Sequence, residues 1–143
     1  MNKSLPLFVA VLALGFSALP AFAESTPTTC SLATMRGTWA YGAMGYYSGA
    51  PISASGMESY DGQGNMKWIE LWSDGATNYT WTGVGTYTIT SNCVASVRYS
   101  AGANAWTYFV APDGTRYYWN NNLDYGAVGG GRIDRISTAL LVQ

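Results

Sequence analysis

Gly83-Val84-Gly85-Thr86-Tyr87-Thr88-Ile89-Thr90-Ser91-Asn92-Cys93 decides the fold of this chain. Thr86, Thr88 and Thr90 alternate with Tyr87 and Ile89, the period of two of a β-strand with one polar and one apolar face. Ser91-Asn92 is turn chemistry. Beyond it Cys93, Ala95, Val97 and Tyr99 resume the apolar alternation on a return strand. The pattern predicts a hairpin with Tyr87 and Ile89 turned inward and the three threonines turned to solvent.

Working outward, the same grammar repeats. Leu32 and Met35 have the i,i+3 spacing of a short helical turn within Ser31–Arg36. Gly37–Tyr47 then reads as a strand with Trp39, Tyr41, Ala43 and Tyr47 on one face. Gly49-Ala50-Pro51 turns the chain into Ile52–Tyr60, a strand rich in small residues and weakly patterned. Asp61-Gly62-Gln63-Gly64-Asn65 is a hairpin loop with two glycines free to adopt positive φ. Met66–Trp72 and Ala76–Thr82 are the next strands, parted by Ser73-Asp74-Gly75. Gly83 and Gly85 bend the second of these into the opening hairpin. Ser100–Asn104 is a turn, Ala105–Ala111 a strand apolar on both faces, and Pro112-Asp113-Gly114 a further turn. Thr115–Asn120 follows, Asn121-Asn122 breaks it, and Tyr125–Ile136 is the last strand, kinked at Gly129-Gly130-Gly131. Sequential hairpins without a long crossover predict an all-β domain: one antiparallel up-and-down barrel of about eight strands, with a β-sandwich as the alternative.

The first residues stand apart. Met1-Asn2-Lys3 is a positive n-region, Leu5–Leu19 an apolar h-region, and Ala21-Phe22-Ala23 an A-x-A cleavage site. Residues 1–23 are therefore expected to be a signal peptide cleaved after Ala23, residues 24–29 a flexible leader, and residues 30–143 the barrel. The expected location is periplasmic or extracellular. An oxidising compartment makes a Cys30–Cys93 disulfide the expected use of the two cysteines. Two free thiols or an intermolecular bridge are the alternatives. The chain-entropy model gives such a long loop about 4 kcal/mol of stabilisation.

Seven basic residues against eight acidic ones leave a net charge of −1 and no basic stripe. Nucleic acid and anionic membranes are accordingly poor partners, and no membrane insertion is expected. The chain has no histidine, which removes Ser-His-Asp and Cys-His catalysis and imidazole metal sites. No metal and no cofactor are expected. The Asp61–Asn65 loop lacks the further carboxylates of a calcium loop. Neither Gly83-Val84-Gly85 nor Gly129-Gly130-Gly131 opens a helix, as a phosphate-binding loop does.

Several motifs together carry a resemblance. They are Cys30, Gly37-Thr38-Trp39, Asp61-Gly62-Gln63-Gly64-Asn65, Gly85-Thr86-Tyr87, Cys93, Phe109-Val110, Asp113-Gly114 and a C-terminal Gly-rich strand ending in Arg132 or Arg135. The chain resembles a family of small exported bacterial proteins of unknown function with calycin-like barrels, related in shape to allene oxide cyclase and the lipocalins. The resemblance implies the fold. A cyclase activity would follow from it by fold analogy alone, because that enzyme's pocket residues have no placement on this sequence.

The most informative chemistry is Met66-Lys67-Trp68-Ile69-Glu70-Leu71-Trp72. Alternation puts Trp68, Glu70 and Trp72 on one face and Lys67, Ile69 and Leu71 on the other. If the tryptophan face is inward, Glu70 lies between two indoles, desolvated, as an acid or a polar anchor. If it is outward, Glu70 is a solvated charge and the indoles are an exposed platform. Tyr79 and Trp81 lie beside this face on the adjoining strand. The residues thus propose a ligand-binding set of Trp68, Glu70, Trp72, Tyr79 and Trp81, with no catalytic residue assigned. The leading expectation is an exported, non-catalytic binding protein holding a small apolar or aromatic ligand in the barrel mouth. Alternatives are a cyclase-like isomerase acting in the lumen and a surface or matrix module using exposed aromatics. Cross-strand aromatic packing, worth about 0.2–1 kcal/mol per pair, also accounts for many of these rings.

Overall fold

A computed structural model describes residues 29–100, 105–120 and 127–143. Residues 1–23, read as a signal peptide, the leader before Thr29, most of the Ser100–Asn104 turn, the Asn121-Asn122 break and the Tyr125-Gly126 start of the last strand lie outside the described residues. A 3-10 turn, Leu32–Met35, leads into β1 (Gly37–Tyr47), β2 (Ala50–Tyr60), β3 (Asn65–Ser73) and β4 (Asn78–Ile89). Then come β5 (Val94–Tyr99), β6 (Ala105–Val110), β7 (Arg116–Asn120) and β8 (Ala127–Ser137). Each strand pairs antiparallel with its neighbour in sequence, and β8 pairs with β1. The eight strands form one closed up-and-down barrel. No helix among the described residues is long and apolar enough to cross a membrane.

The hairpin that decides the fold has the predicted faces. Tyr87 is buried and Ile89 packs against the core, while Thr86, Thr88 and Thr90 are exposed. Cys93 lies in the turn ahead of β5 rather than in the strand. Cys93 N–H donates to Thr90 O at 2.9 Å, and its φ of 66° is the left-handed conformation that usually selects glycine in a three-residue hairpin loop. Its sulfur is bonded to Cys30, 63 residues away, with the Cα atoms 5.0 Å apart.

Three details depart from the sequence reading. The β1–β2 turn is Ser48-Gly49, both at positive φ (50° and 82°), and Ala50 and Pro51 already belong to β2. Gly83 and Gly85 lie within the single long strand β4 and do not end it. In β6 the apolar residues do not mark a central strand. Tyr108 and Val110 are buried, while Phe109 is 54% exposed beside Tyr118 on the outer wall.

One end of the barrel is plugged. Met35 and Trp39 are fully buried there, and Trp39 Nε1 donates to Met35 O at 2.8 Å. Tyr87 OH donates to Leu32 O at 3.0 Å, and Cys30 N–H donates to Ser91 O at 3.1 Å. The β6–β7 turn presses on the same plug: a Cβ at Gly114 would stand 2.5 Å from Thr34 O. Outside β1 and β2 the C-terminal segment covers two buried hydroxyls. Thr38 Oγ1 donates to Ala139 O (2.7 Å) and accepts from Leu141 N–H (2.9 Å), and Ser59 Oγ accepts from Val142 N–H (3.0 Å). Every polar group buried by this cover is thereby paired, as burial requires.

Candidate functional site

Along β3, Met66 and Trp68 are buried, Glu70 and Trp72 are half-buried, and Lys67 and Leu71 are exposed. The Trp68–Glu70–Trp72 face is therefore the inner one. Register brings the other two predicted residues to it: Glu70 lies opposite Trp81 and Trp72 opposite Tyr79. Directly opposed residues share a face of the sheet, so all five line the same inner wall. Yet Trp81 is 53% and Tyr79 38% exposed. Inward-facing rings that meet solvent mark the mouth of the barrel, at the end away from the plug. Trp72 joins them into one aromatic rim, its ring centroid 5.9 Å from that of Tyr79 and 5.8 Å from that of Tyr47, edge-on.

Below the rim, rings lie over glycines. Trp68 is opposite Gly83, Tyr41 opposite Gly56 and Trp119 opposite Gly131. A Cβ built on Gly83 would stand 2.9–3.0 Å from three atoms of the Trp68 ring, and one on Gly56 would stand 2.8 Å from Tyr41 OH. At Gly131 the same atom would meet Trp119 Nε1 at 2.8 Å. Gly83 and Gly131, which read as a bend and a kink in the sequence, are, with Gly56, seats for rings laid against the wall. Trp68 Nε1 and Trp119 Nε1 are buried there without an acceptor among the described residues.

Glu70 has one hydrogen-bond partner. Tyr41 OH donates to its Oε2 at 2.6 Å, and among the described residues Oε1 accepts nothing. Burial holds the Glu70 carboxyl above its ordinary pKa. The Tyr41 hydrogen bond offsets part of that rise, and the Glu58 charge adds to it. Burial, then the charges of Glu58 and Glu70, push the Tyr41 phenol far up, so it remains a donor.

Glu58 is the residue that sequence reasoning missed. It is 1% exposed, opposite Trp39 and Trp68 on the inner wall. Four phenols converge on its carboxylate. Oε2 accepts from Tyr60 OH at 2.7 Å and from Tyr117 OH, and Oε1 accepts from Tyr99 OH and, at 3.3 Å, from Tyr108 OH. Tyr108 and Tyr117 stack with centroids 4.5 Å apart. Burial first, then the Glu58 charge, raises the pKa of all four phenols well above the ordinary tyrosine range. They therefore stay protonated and keep donating. A carboxylate offers about four acceptor sites, and the four phenols fill them, Tyr108 sharing its one proton between Oε1 and Tyr99 OH at 2.9 Å. The signal was present in β2, where Glu58 shares parity with Ile52 and Tyr60, but Ala54 and Gly56 between them gave no continuous apolar face to set against it.

The described residues hold no group of three or more His, Cys, Asp or Glu placed to share a metal ion. Asp61 instead organises its own hairpin, accepting from Gln63 N–H (2.7 Å), Asn65 N–H (3.0 Å) and Asn65 Nδ2 (2.7 Å). A closed eight-stranded antiparallel barrel is compatible with the calycin-like shape. No family model, no curated protein and no solved structure matches the chain.

Proposed function

We propose that this is an exported binding protein that holds a small apolar or aromatic ligand in the mouth of its barrel. One observation carries the reading: Trp72, Tyr79 and Trp81 face inward yet meet solvent, at the end opposite the plug. Small-molecule sites are mostly apolar and aromatic, with few polar groups to fix orientation. Glu70 with Tyr41, and Trp68 Nε1, which has no acceptor among the described residues, are such groups. The Cys30–Cys93 bond suits a protein made for an oxidising compartment. Titrating intrinsic tryptophan fluorescence with a panel of apolar and aromatic compounds tests it. Saturable quenching or a spectral shift with part of the panel is the expected result, and no response to any member would overturn the reading.

A second reading, an isomerase working in the lumen, is favoured by the Tyr41–Glu70 hydrogen bond. It places a half-buried carboxyl of raised pKa beside a protonated phenol, a pairing suited to general acid–base work. Under that reading Glu70→Gln abolishes turnover while leaving ligand-induced quenching intact.

A further inference from the structure

We infer that the mouth takes an organic cation, an ammonium group carried on an apolar or aromatic body, with Glu70 as its counter-ion. The inference rests on the mouth being a ligand site and names the chemical class of its occupant.

The sign of the interior comes first. Lys67, Arg98, Arg116 and Arg132 are exposed on outward-facing strand positions, and Arg36 is exposed beside the plug. Arg135 lies over the Trp39 ring, 5.7 Å from its centroid, and donates to Arg36 O. Lys3 is the one remaining basic residue of the chain. Among the described residues the inner wall thus carries the carboxylates of Glu58 and Glu70 with no basic side chain at the mouth.

The two carboxylates differ in what they still lack. Glu58 is supplied with four phenol donors and is closed off from solvent. Among the described residues Glu70 has one donor and a second oxygen without a partner, and it lies on the path inward from the rim. A half-buried carboxylate without a cation is the less favourable arrangement, and a ligand cation reverses it. An anionic ligand would meet repulsion from both glutamates.

The walls fit the same charge. Trp68 and Trp72 flank Glu70 along β3, and Trp81 lies directly across from it. Trp68 packs part of its ring on Gly83 and stands edge-to-face with Tyr99, centroids 5.4 Å apart. Indole faces attract cations most strongly of the aromatic side chains, the more so when desolvated. A carboxylate between indoles selects a cation with apolar shoulders over a bare metal ion or a neutral hydrocarbon.

The test uses two probes of one shape, benzyltrimethylammonium and neopentylbenzene, titrated into the full exported protein by tryptophan fluorescence. The cation is expected to bind tighter by on the order of tenfold or more. Glu70→Gln preserves the size and an acceptor for Tyr41, and it should collapse that gap by weakening the cation. Trp81→Ala, at an exposed position that does not threaten the fold, should weaken the cation as well. Equal affinity for the two probes, or a cation preference that survives in Glu70→Gln, would overturn the inference and leave the mouth site standing. Binding of neither probe, nor of any compound in the wider panel, would overturn both.

Discussion

At the plugged end of the barrel Trp39, Tyr60 and Tyr117 are wholly buried, and every polar tip among them has a partner. At the mouth Tyr47, Tyr79 and Trp81 are 42%, 38% and 53% exposed. The same residue types occur at both ends, and what differs is closure. A disulfide, a 3-10 turn and a C-terminal cover converge on one end, while no described element lies across the other. Glu58 and Glu70 repeat the contrast with a single chemical group. One carboxylate accepts four hydrogen bonds, and the other accepts one. A polar group saturated by its own fold contributes to stability and specificity of packing, whereas one left short is available to a ligand.

If the ends differ in this way, substitutions should grade in cost from plug to mouth. Replacing both Cys30 and Cys93 with Ser should cost about 4 kcal/mol in denaturant unfolding. Because Cys93 has a φ of 66°, pairing Cys30→Ser with Cys93→Gly should recover roughly 1 kcal/mol of that loss. Tyr60→Phe or Tyr117→Phe removes one hydrogen bond to the Glu58 carboxylate and should cost about 1.5–3 kcal/mol. A loss near zero for either would show that the Glu58 cluster does not hold the plugged half together.

Glu70 should behave in the opposite sense. Its folded-state pKa is raised, chiefly by burial. Between the ordinary glutamate value and the raised one, the folded protein holds a proton that the unfolded chain has released. Stability therefore falls as pH rises through that window. Glu70→Gln should leave the midpoint of thermal unfolding at neutral pH unchanged or higher, with the difference vanishing in acid. Affinity for benzyltrimethylammonium should fall in the same window as pH is lowered, because protonation removes the counter-ion. Tyr41 and Glu58 are the titratable groups facing Glu70, and Tyr41 stays protonated throughout. Trp81→Ala should cost least, within about 0.5 kcal/mol, as for other exposed positions. A larger loss would mean that the rim is a structural element.

The fold was legible because alternation and turn chemistry are local. The strands Gly37–Tyr47, Met66–Trp72 and the Tyr87/Ile89 hairpin stand within a residue or two of where their patterns put them. Closure of β8 on β1 is not local, and sequential hairpins supported it only against a sandwich alternative. The inner face of β3 was one of two possibilities until the burial of Met66 and Trp68 decided it. The Glu58 cluster was illegible for a different reason. Its donors come from β2, β5, β6 and β7, and nothing in spacing along the chain brings Tyr60, Tyr99, Tyr108 and Tyr117 to one carboxylate. Similarly, Gly56, Gly83 and Gly131 announce flexibility in a sequence, whereas the rings they seat are on neighbouring strands.

The division between plug and mouth can be tested on the six tryptophans by following their indole N–H signals in a ¹H–¹⁵N spectrum while benzyltrimethylammonium is added. Trp72 and Trp81 at the rim and Trp68 beside Glu70 should shift progressively and saturate together. Trp39, whose N–H is bonded to Met35 O inside the plug, should stay in place. Shifts at Trp39 equal to those at the rim, or a spectrum in which Trp68, Trp72 and Trp81 do not move, would contradict the account.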